Sequence, residues 1–154
     1  MNDQRKQHWE NVYATRAPDE VSWYQPLLTQ SLRLIEATGI ELDAPIIDAG
    51  GGASTLIDSL LELGYTNLSV LDVSPAALAA SRHRLGDKAQ QVEWIETDVT
   101  EFAASRRYAL WHDRAAFHFL TTAADRKRYR EVVRSALRSC GHLVLSTFGP
   151  EGPL

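Results

Sequence analysis

The chain has one cysteine, Cys140, so no disulfide can form within it. It has no apolar run near the ~20 residues that a membrane-spanning helix needs. Its first residues, Met1-Asn2-Asp3-Gln4-Arg5-Lys6-Gln7-His8, lack the apolar core of a signal peptide. Together these absences predict a cytoplasmic protein with no membrane partner. There is no internal repeat and no low-complexity stretch. Positive charge is not in excess, with 16 Lys and Arg against 20 Asp and Glu for a net charge of −4. That balance argues against broad nucleic-acid binding. No metal site is predicted.

What is present is ordinary for a soluble globular protein: 154 residues, 44% hydrophobic and 23% charged. A chain of this size is about one domain and buries roughly two-thirds of its unfolded surface. Residues 3–13 read as a short amphipathic helix with Trp9, Val12 and Tyr13 on one face. A loop rich in aromatics follows, and then a helix over 26–38 in which Leu28, Leu32 and Ile35 share a face and Gly39 marks the end. From Pro45 onward strands and helices alternate. Strands are predicted at 46–48, 68–73, 92–96, 108–112 and 142–148. Helices are predicted at 55–63, from Ser74-Pro75 to Gly86, and at 123–138. Such alternation implies a parallel sheet with helices on both faces, and ligands bind beyond the carboxyl ends of its strands.

The most informative stretch is Ile46-Ile47-Asp48-Ala49-Gly50-Gly51-Gly52-Ala53-Ser54. A buried strand runs into a glycine turn, and Ser54 or Thr55 then caps a helix. Glycines without Cβ atoms would let a ligand lie against the backbone, beside amide donors at a helix N-terminus. A dinucleotide fingerprint would need Gly or Ala where Thr55 stands, and Asp48 would add negative charge near a pyrophosphate. A cofactor carrying a cation suits the turn better. Asp72 ends the next strand, where it can accept from both ribose hydroxyls, with Val73 beside it. Asp98 follows the third strand, where it can accept from an adenine amine while Val99 offers a backbone donor. An acid after each of three successive strands fits an adenosine with a cationic tail, which is S-adenosylmethionine (SAM).

These segments resemble the class I, seven-strand SAM-dependent methyltransferases over nearly the whole chain. Asp48-Ala49-Gly50-Gly51-Gly52 is similar to the family's first motif, Asp72 to its ribose acid and Thr97-Asp98-Val99 to its adenine motif. Trp9 and Tyr13, followed by Ser22-Trp23-Tyr24-Gln25, resemble the N-terminal cap of thiopurine methyltransferase-like enzymes and of seven-strand lysine methyltransferases. Trp111-His112-Asp113-Arg114-Ala115-Ala116-Phe117-His118 resembles the segment after the fourth strand in the same groups. The resemblance implies a Rossmann-like three-layer α/β sandwich with strand order 3-2-1-4-5. It also implies SAM as cofactor, S-adenosylhomocysteine (SAH) as product, and cofactor contacts from Asp48, Gly50, Gly51, Gly52, Asp72, Val73, Asp98, Val99 and Asp113.

The expected domain spans 1–154, with a helical cap at 1–40 and a core at 45–149. The family's further helix and final antiparallel strands are missing after Pro150-Glu151-Gly152-Pro153-Leu154. Either the chain is cut short or the sheet is reduced. The fifth strand is then an open edge on which a second copy could pair. Methyl acceptors consistent with the resemblance are a small molecule or a protein side chain, through S, N or O. Asp113 and His118 are the candidate catalytic groups. Trp9, Tyr13, Trp23, Tyr24 and Phe117 are the candidate substrate and lid residues, and cation–π contact is one reason to place aromatics there. A non-catalytic SAM-binding scaffold and a dinucleotide enzyme are the competing readings. Arg126, Arg130, Arg134 and Arg138 form a basic stripe that reads as a solvated helix face.

Overall fold

The computed structural model describes residues 3–15, 28–114 and 116–147. The candidate lid residues Trp23 and Tyr24 therefore lie outside the described residues, as do Ser22, Gln25 and the C-terminal tail. The elements in order are α1 (Asp3–Thr15), α2 (Thr29–Ala37), β1 (Ile46–Ala49), α3 (Leu56–Glu62), β2 (Leu68–Asp72), α4 (Pro75–Leu85), β3 (Val92–Glu96), β4 (Tyr108–Asp113), α5 (Ala123–Ala136) and β5 (Leu137–Leu145). Two short 3-10 turns, Gly86–Gln91 and Phe117–Phe119, were not predicted from the sequence.

The strands form one five-stranded sheet in the order β3-β2-β1-β4-β5, and every pairing is parallel. The three central strands are buried at every residue, which is why they read as mainly apolar runs with a few buried polar residues among them. Alternation along them feeds two cores. Ile46, Leu68, Val70 and Leu110 pack with Leu28 and Ile35 of the α2 region, with Leu56, Ile57 and Leu60 of α3, and with Leu78 of α4. Ile47, Ala49, Leu71 and Trp111 face the other way, against Tyr129, Val132, Val133 and Ala136 of α5. The result is the predicted Rossmann-like α/β sandwich with helices on both faces of the sheet.

Helix starts follow local chemistry. Ser74 caps α4 by accepting from Ala77 N at 3.2 Å, with Pro75 at the first helical position. Thr122 caps α5 by accepting from Asp125 N at 3.1 Å. At α3 the cap is Ser54, whose Oγ accepts from Leu56 N at 3.1 Å, while Thr55 makes no side-chain cap.

The fifth strand departs from its predicted span. It starts at Leu137, directly from α5, with Tyr108 paired to Leu137 and regular pairing resuming at Leu110 with His142. The residues between are an irregularity, and Gly141 makes it possible. A Cβ there would lie 3.0 Å from the Arg138 carbonyl oxygen and 3.3 Å from that of Ala109. Leu137 therefore belongs to the strand rather than to the helical stripe. Among the described residues β5 bonds to β4 alone, and Leu143 and Leu145 are exposed.

Leu110 is fully buried in the middle of β4. Replacing it by alanine should destabilise the protein by about 2–5 kcal/mol, read as a lower denaturant midpoint at unchanged slope.

Candidate functional site

Because β1 is flanked by β2 on one side and β4 on the other, the chain path reverses at its carboxyl end. The crevice of an open parallel sheet lies there. The glycine turn fills that position. Gly50 takes φ +72°, its N–H donates to Leu71 O at 2.7 Å, and a Cβ on it would lie 2.6 Å from the Ala116 Cβ. The space left by the other two glycines is occupied by the protein's own acids. A Cβ on Gly51 would lie 2.1 Å from Asp48 Oδ2, and one on Gly52 would lie 2.7 Å from Asp72 Oδ2. The glycines thus serve first to bring two buried carboxylates against the turn, a reason different from the ligand approach expected of them.

Asp72 binds the turn to the neighbouring strand. Its Oδ2 accepts from Gly52 N at 2.9 Å and its Oδ1 from Ser74 N at 2.9 Å. The Gly52 amide is therefore committed to Asp72. Ser81 Oγ holds the Gly52 carbonyl from α4. Burial pushes the Asp72 carboxyl up to about 6, although the backbone donors of Ser74 and Gly52 pull it down. Asp98 is also buried; its Oδ1 accepts from Thr100 N at 2.8 Å and Thr100 Oγ1 at 2.7 Å. The amide of Val99 makes no hydrogen bond among the described residues.

Asp48 is almost sealed in. His112, its partner across the β1–β4 pairing, stands with Nδ1 2.8 Å from Asp48 Oδ1, and Ser31 Oγ lies 2.8 Å from the His112 Nε2. The second Asp48 oxygen, Oδ2, is buried with no hydrogen-bond partner.

Asp113 is fully buried, and its two oxygens are engaged. Oδ1 accepts from Ala116 N at 2.7 Å, and Oδ2 accepts from Phe117 N at 3.0 Å and Tyr129 Oη at 2.6 Å. Trp111 Nε1 donates in turn to Tyr129 Oη at 3.2 Å. Burial raises the Asp113 carboxyl to about 6 against the pull of these donors, and burial also raises the Tyr129 phenol. The Asp113 carboxylate thus holds the turn after β4 in place.

One cavity collects much of this geometry. It is bounded by Gly50, Leu71, Asp72, Val73, Thr97, Asp98 and Val99 along the sheet edge, by Ala116, Phe119 and Leu120 after β4, and by Arg5, Trp9 and Tyr13 from above. The walls are mainly apolar, and carboxylates stand at two points of the rim. Of the residues predicted from sequence, Gly50, Asp72, Val73, Asp98, Val99, Trp9 and Tyr13 meet here. Asp48, Gly51, Gly52 and Asp113 support the cavity from behind without lining it. Phe117 packs on Tyr129, with ring centroids 5.0 Å apart, and under Arg126; Phe119 meets Trp9 edge-on at 4.9 Å. His118 sits edge-on to Phe119 and does not line the cavity.

Sequence reasoning missed Arg5, Glu10, Ser31 and Tyr129 as parts of this site. Helix α1 buries none of its residues, yet it is tied down by polar groups at its neighbours' ends. Arg5 Nη1 donates to both Asp98 oxygens, at 2.9 and 2.6 Å, and Nη2 donates to Asp125 Oδ2 at 2.7 Å. Lys6 meets Glu96, and Glu10 accepts from Ser74 Oγ and, at 3.0 Å, from Ala76 N. Ser31 did leave a trace in the sequence, as a polar residue four before Ile35 on the apolar face of α2. Among the described residues no helix is long and apolar enough to cross a membrane, and no group of three His, Cys, Asp or Glu is gathered as for a metal ion.

Three expectations follow. In the ligand-free protein, carbon-13 titration should show the Asp72 and Asp113 carboxyls changing near pH 6, where midpoints below 4.5 would contradict the burial argument. Because both groups are raised above their unfolded values, the stability they contribute is complete below about pH 4. It is lost as the pH rises through 6. Arg5→Gln should speed amide exchange across α1 at least tenfold while leaving exchange in α5 unchanged.

Comparison with known proteins places this arrangement. Residues 46–141 match a family model described as a methyltransferase domain. Human EEF1A lysine methyltransferase 2 is 25% identical over 84 residues, which is 49% of this chain and 36% of that protein. Malonyl-[acyl-carrier protein] O-methyltransferase 1 of Ilyobacter polytropus (strain ATCC 51220 / DSM 2926 / LMG 16218 / CuHBu1) is 27% identical over 105 residues, covering 68% of this chain and 38% of that protein. The chain thus spans well under half the length of these two relatives. The glycopeptide N-methyltransferase MtfA in complex with SAH superimposes with a TM-score of 0.67 at 23% identity, over 76% of this chain and 50% of that one. With the family model covering most of the described core and the strand order in agreement, the chain belongs to the methyltransferase-domain family, with the class I SAM-dependent fold.

Proposed function

We propose that this chain binds SAM in the crevice above β1 and transfers its methyl group to a nucleophile on a small molecule or a protein side chain. The observation that carries this reading is the alignment of Asp72 and Asp98 on one apolar cavity whose far end is the glycine turn. Each acid keeps acceptor capacity beyond its backbone partners, since an ionised carboxylate offers about four lone-pair sites. Asp72 would take the ribose hydroxyls. Asp98 Oδ2 and the unbonded Val99 amide would meet the edge of the adenine, between the apolar walls of Leu71, Val73 and Leu120.

The cofactor supplies an electrophilic methyl group on a sulfonium. The protein's part is to align and to exclude water, and orientation can supply roughly 7–11 kcal/mol in favourable cases. Trp9, Tyr13 and Phe119 close the cavity from above, and their ring faces suit a cationic ligand. Asp113 acts as an anchor: by holding Ala116, Phe117 and Tyr129 it fixes the turn that presses Ala116 onto Gly50. His118 stands outside the cavity and is the nearer candidate for meeting an acceptor. The two relatives are named for chemically different acceptors, a lysine in one case and a malonyl oxygen in the other, so the acceptor class stays broad.

Calorimetry of the full chain with SAH should show saturable binding at one site, and a labelled-methyl assay on metabolites and protein extract should identify the acceptor. Binding without any transfer would favour a SAM-binding scaffold; no binding by folded protein would sink the proposal. Asp72→Asn should weaken SAH at least tenfold, because one acceptor becomes a donor. Since the ionised Asp72 is the form that accepts hydroxyls, wild-type affinity should fall about tenfold as pH drops from 7 to 5, and the Asn variant should lose that dependence.

A further inference from the structure

The protein fills the acceptor sites of Asp98 with its own donors. Oδ1 takes the Thr100 amide at 2.8 Å and the Thr100 hydroxyl at 2.7 Å. Arg5 Nη1 reaches across both oxygens, 2.9 Å from Oδ1 and 2.6 Å from Oδ2. An ionised carboxylate offers about four lone-pair sites, and these contacts use them. Thr100 fixes the rotamer of the acid through Oδ1, while Oδ2 is held by Arg5 alone. Both Arg5 and Asp98 line the cavity. An amine on a bound base can therefore reach Oδ2 only by taking the place of Arg5 Nη1.

Arg5 has a second acid to go to. Its Nη2 donates to Asp125 Oδ2 at 2.7 Å, and Asp125 stands outside the cavity lining. The Asp98 side chain is 1% exposed and that of Asp125 is 18% exposed. A guanidinium fork can release one carboxylate and stay paired with the other. Other groups hold α1 meanwhile: Lys6 on Glu96 at 2.6 Å, and Glu10 on Ala76 N at 3.0 Å. The exchange thus needs a side-chain rotation and not the departure of the helix. Asp98 needs a donor throughout, because a buried carboxylate without one is costly. Arg5 meets that need until a ligand amine does. A base with no amine at that edge cannot take over, and Arg5 stays in its way.

We infer that Arg5 is a specificity-determining residue of the nucleoside site: it occupies the base-recognising acid as an internal competitor, and a 6-amino group on the purine releases it to Asp125. The inference rests on the SAM site proposed above and gives the sign of Arg5's contribution there. Arg5 opposes binding, where a residue that merely closed the lid would assist it.

The test is calorimetry of the full chain with SAH and with the SAH analogue that carries hydrogen in place of the 6-amino group. Arg5→Met keeps the stem of the side chain and removes its donors. SAH should bind this variant at least threefold more tightly than wild type, because Asp98 Oδ2 then lacks a donor until the amine arrives. The analogue should gain nothing comparable. A smaller gain for SAH, no change or a loss would overturn the inference. An equal gain for both ligands would overturn it too, by showing that Arg5 only fills space. Wild type gives a second reading that needs no variant to fold. In nitrogen-15 spectra SAH should move the Arg5 guanidinium resonances and the analogue should leave them in place, and equal responses would oppose the assignment. If folded wild type binds neither ligand, the SAM site itself fails, and not the role of Arg5 within it.

Discussion

The carboxyl edge of this sheet depends on the Asp72 carboxylate. One oxygen holds the amide of Gly52, at the turn after β1, and the other holds the amide of Ser74, at the start of α4. Two loops are thereby fixed to one buried group. The cost is a carboxyl displaced upward by burial, and the return is a rigid rim with an acceptor facing the cavity. Asp113 repeats the device one strand beyond β1, binding the turn after β4 and the phenol of Tyr129. Asp48 sits between them, pinned by His112. The site is therefore a row of buried acids whose inner sides organise loops, while two of the acids, Asp72 and Asp98, also line the cavity where the ligand is proposed to bind.

Helix α1 enters this picture as a polar lid. None of its residues is fully buried, and among the described residues Trp9 meets Phe119 edge-on. Its position is set by charge: Arg5 between Asp98 and Asp125, Lys6 on Glu96, and Glu10 on the N-terminus of α4. Exposed pairs of this kind are worth little, but Asp98 is buried and its bond to Arg5 is charge-assisted on both oxygens. The same acid that is suited to the adenine amine thus also fastens the lid. On the proposed site, occupancy of the cavity and the placement of α1 would be coupled through this one side chain.

Much of the fold was legible in the chain because parallel strands buried on both faces declare themselves as short apolar runs, and because Ser74-Pro75 and Thr122 are strong helix starts. The acids at the strand ends were legible for a related reason: Asp48, Asp72 and Asp113 each interrupt or close a mainly apolar run, and Asp98 stands just after the third strand. What stayed hidden was long-range partnership. Arg5 and Asp98 are 93 residues apart, and Ser31 and His112 are 81 apart, so no local pattern announces either pair. Phe117 was expected at the cavity, but a 3-10 turn sends it to Tyr129 and brings Phe119 to the cavity instead. The start of β5 was misjudged because an irregular pairing around Gly141 has no periodic signature.

The central claim is that the row of acids and the glycine turn form a single ligand site closed by α1. Amide chemical shifts followed by nuclear magnetic resonance during a SAH titration test it most directly. The account predicts that Gly50, Val73, Val99 and the α1 residues around Trp9 shift together along one saturation curve. Shifts confined to the exposed arginine face of α5, or none at all in folded protein, would contradict it.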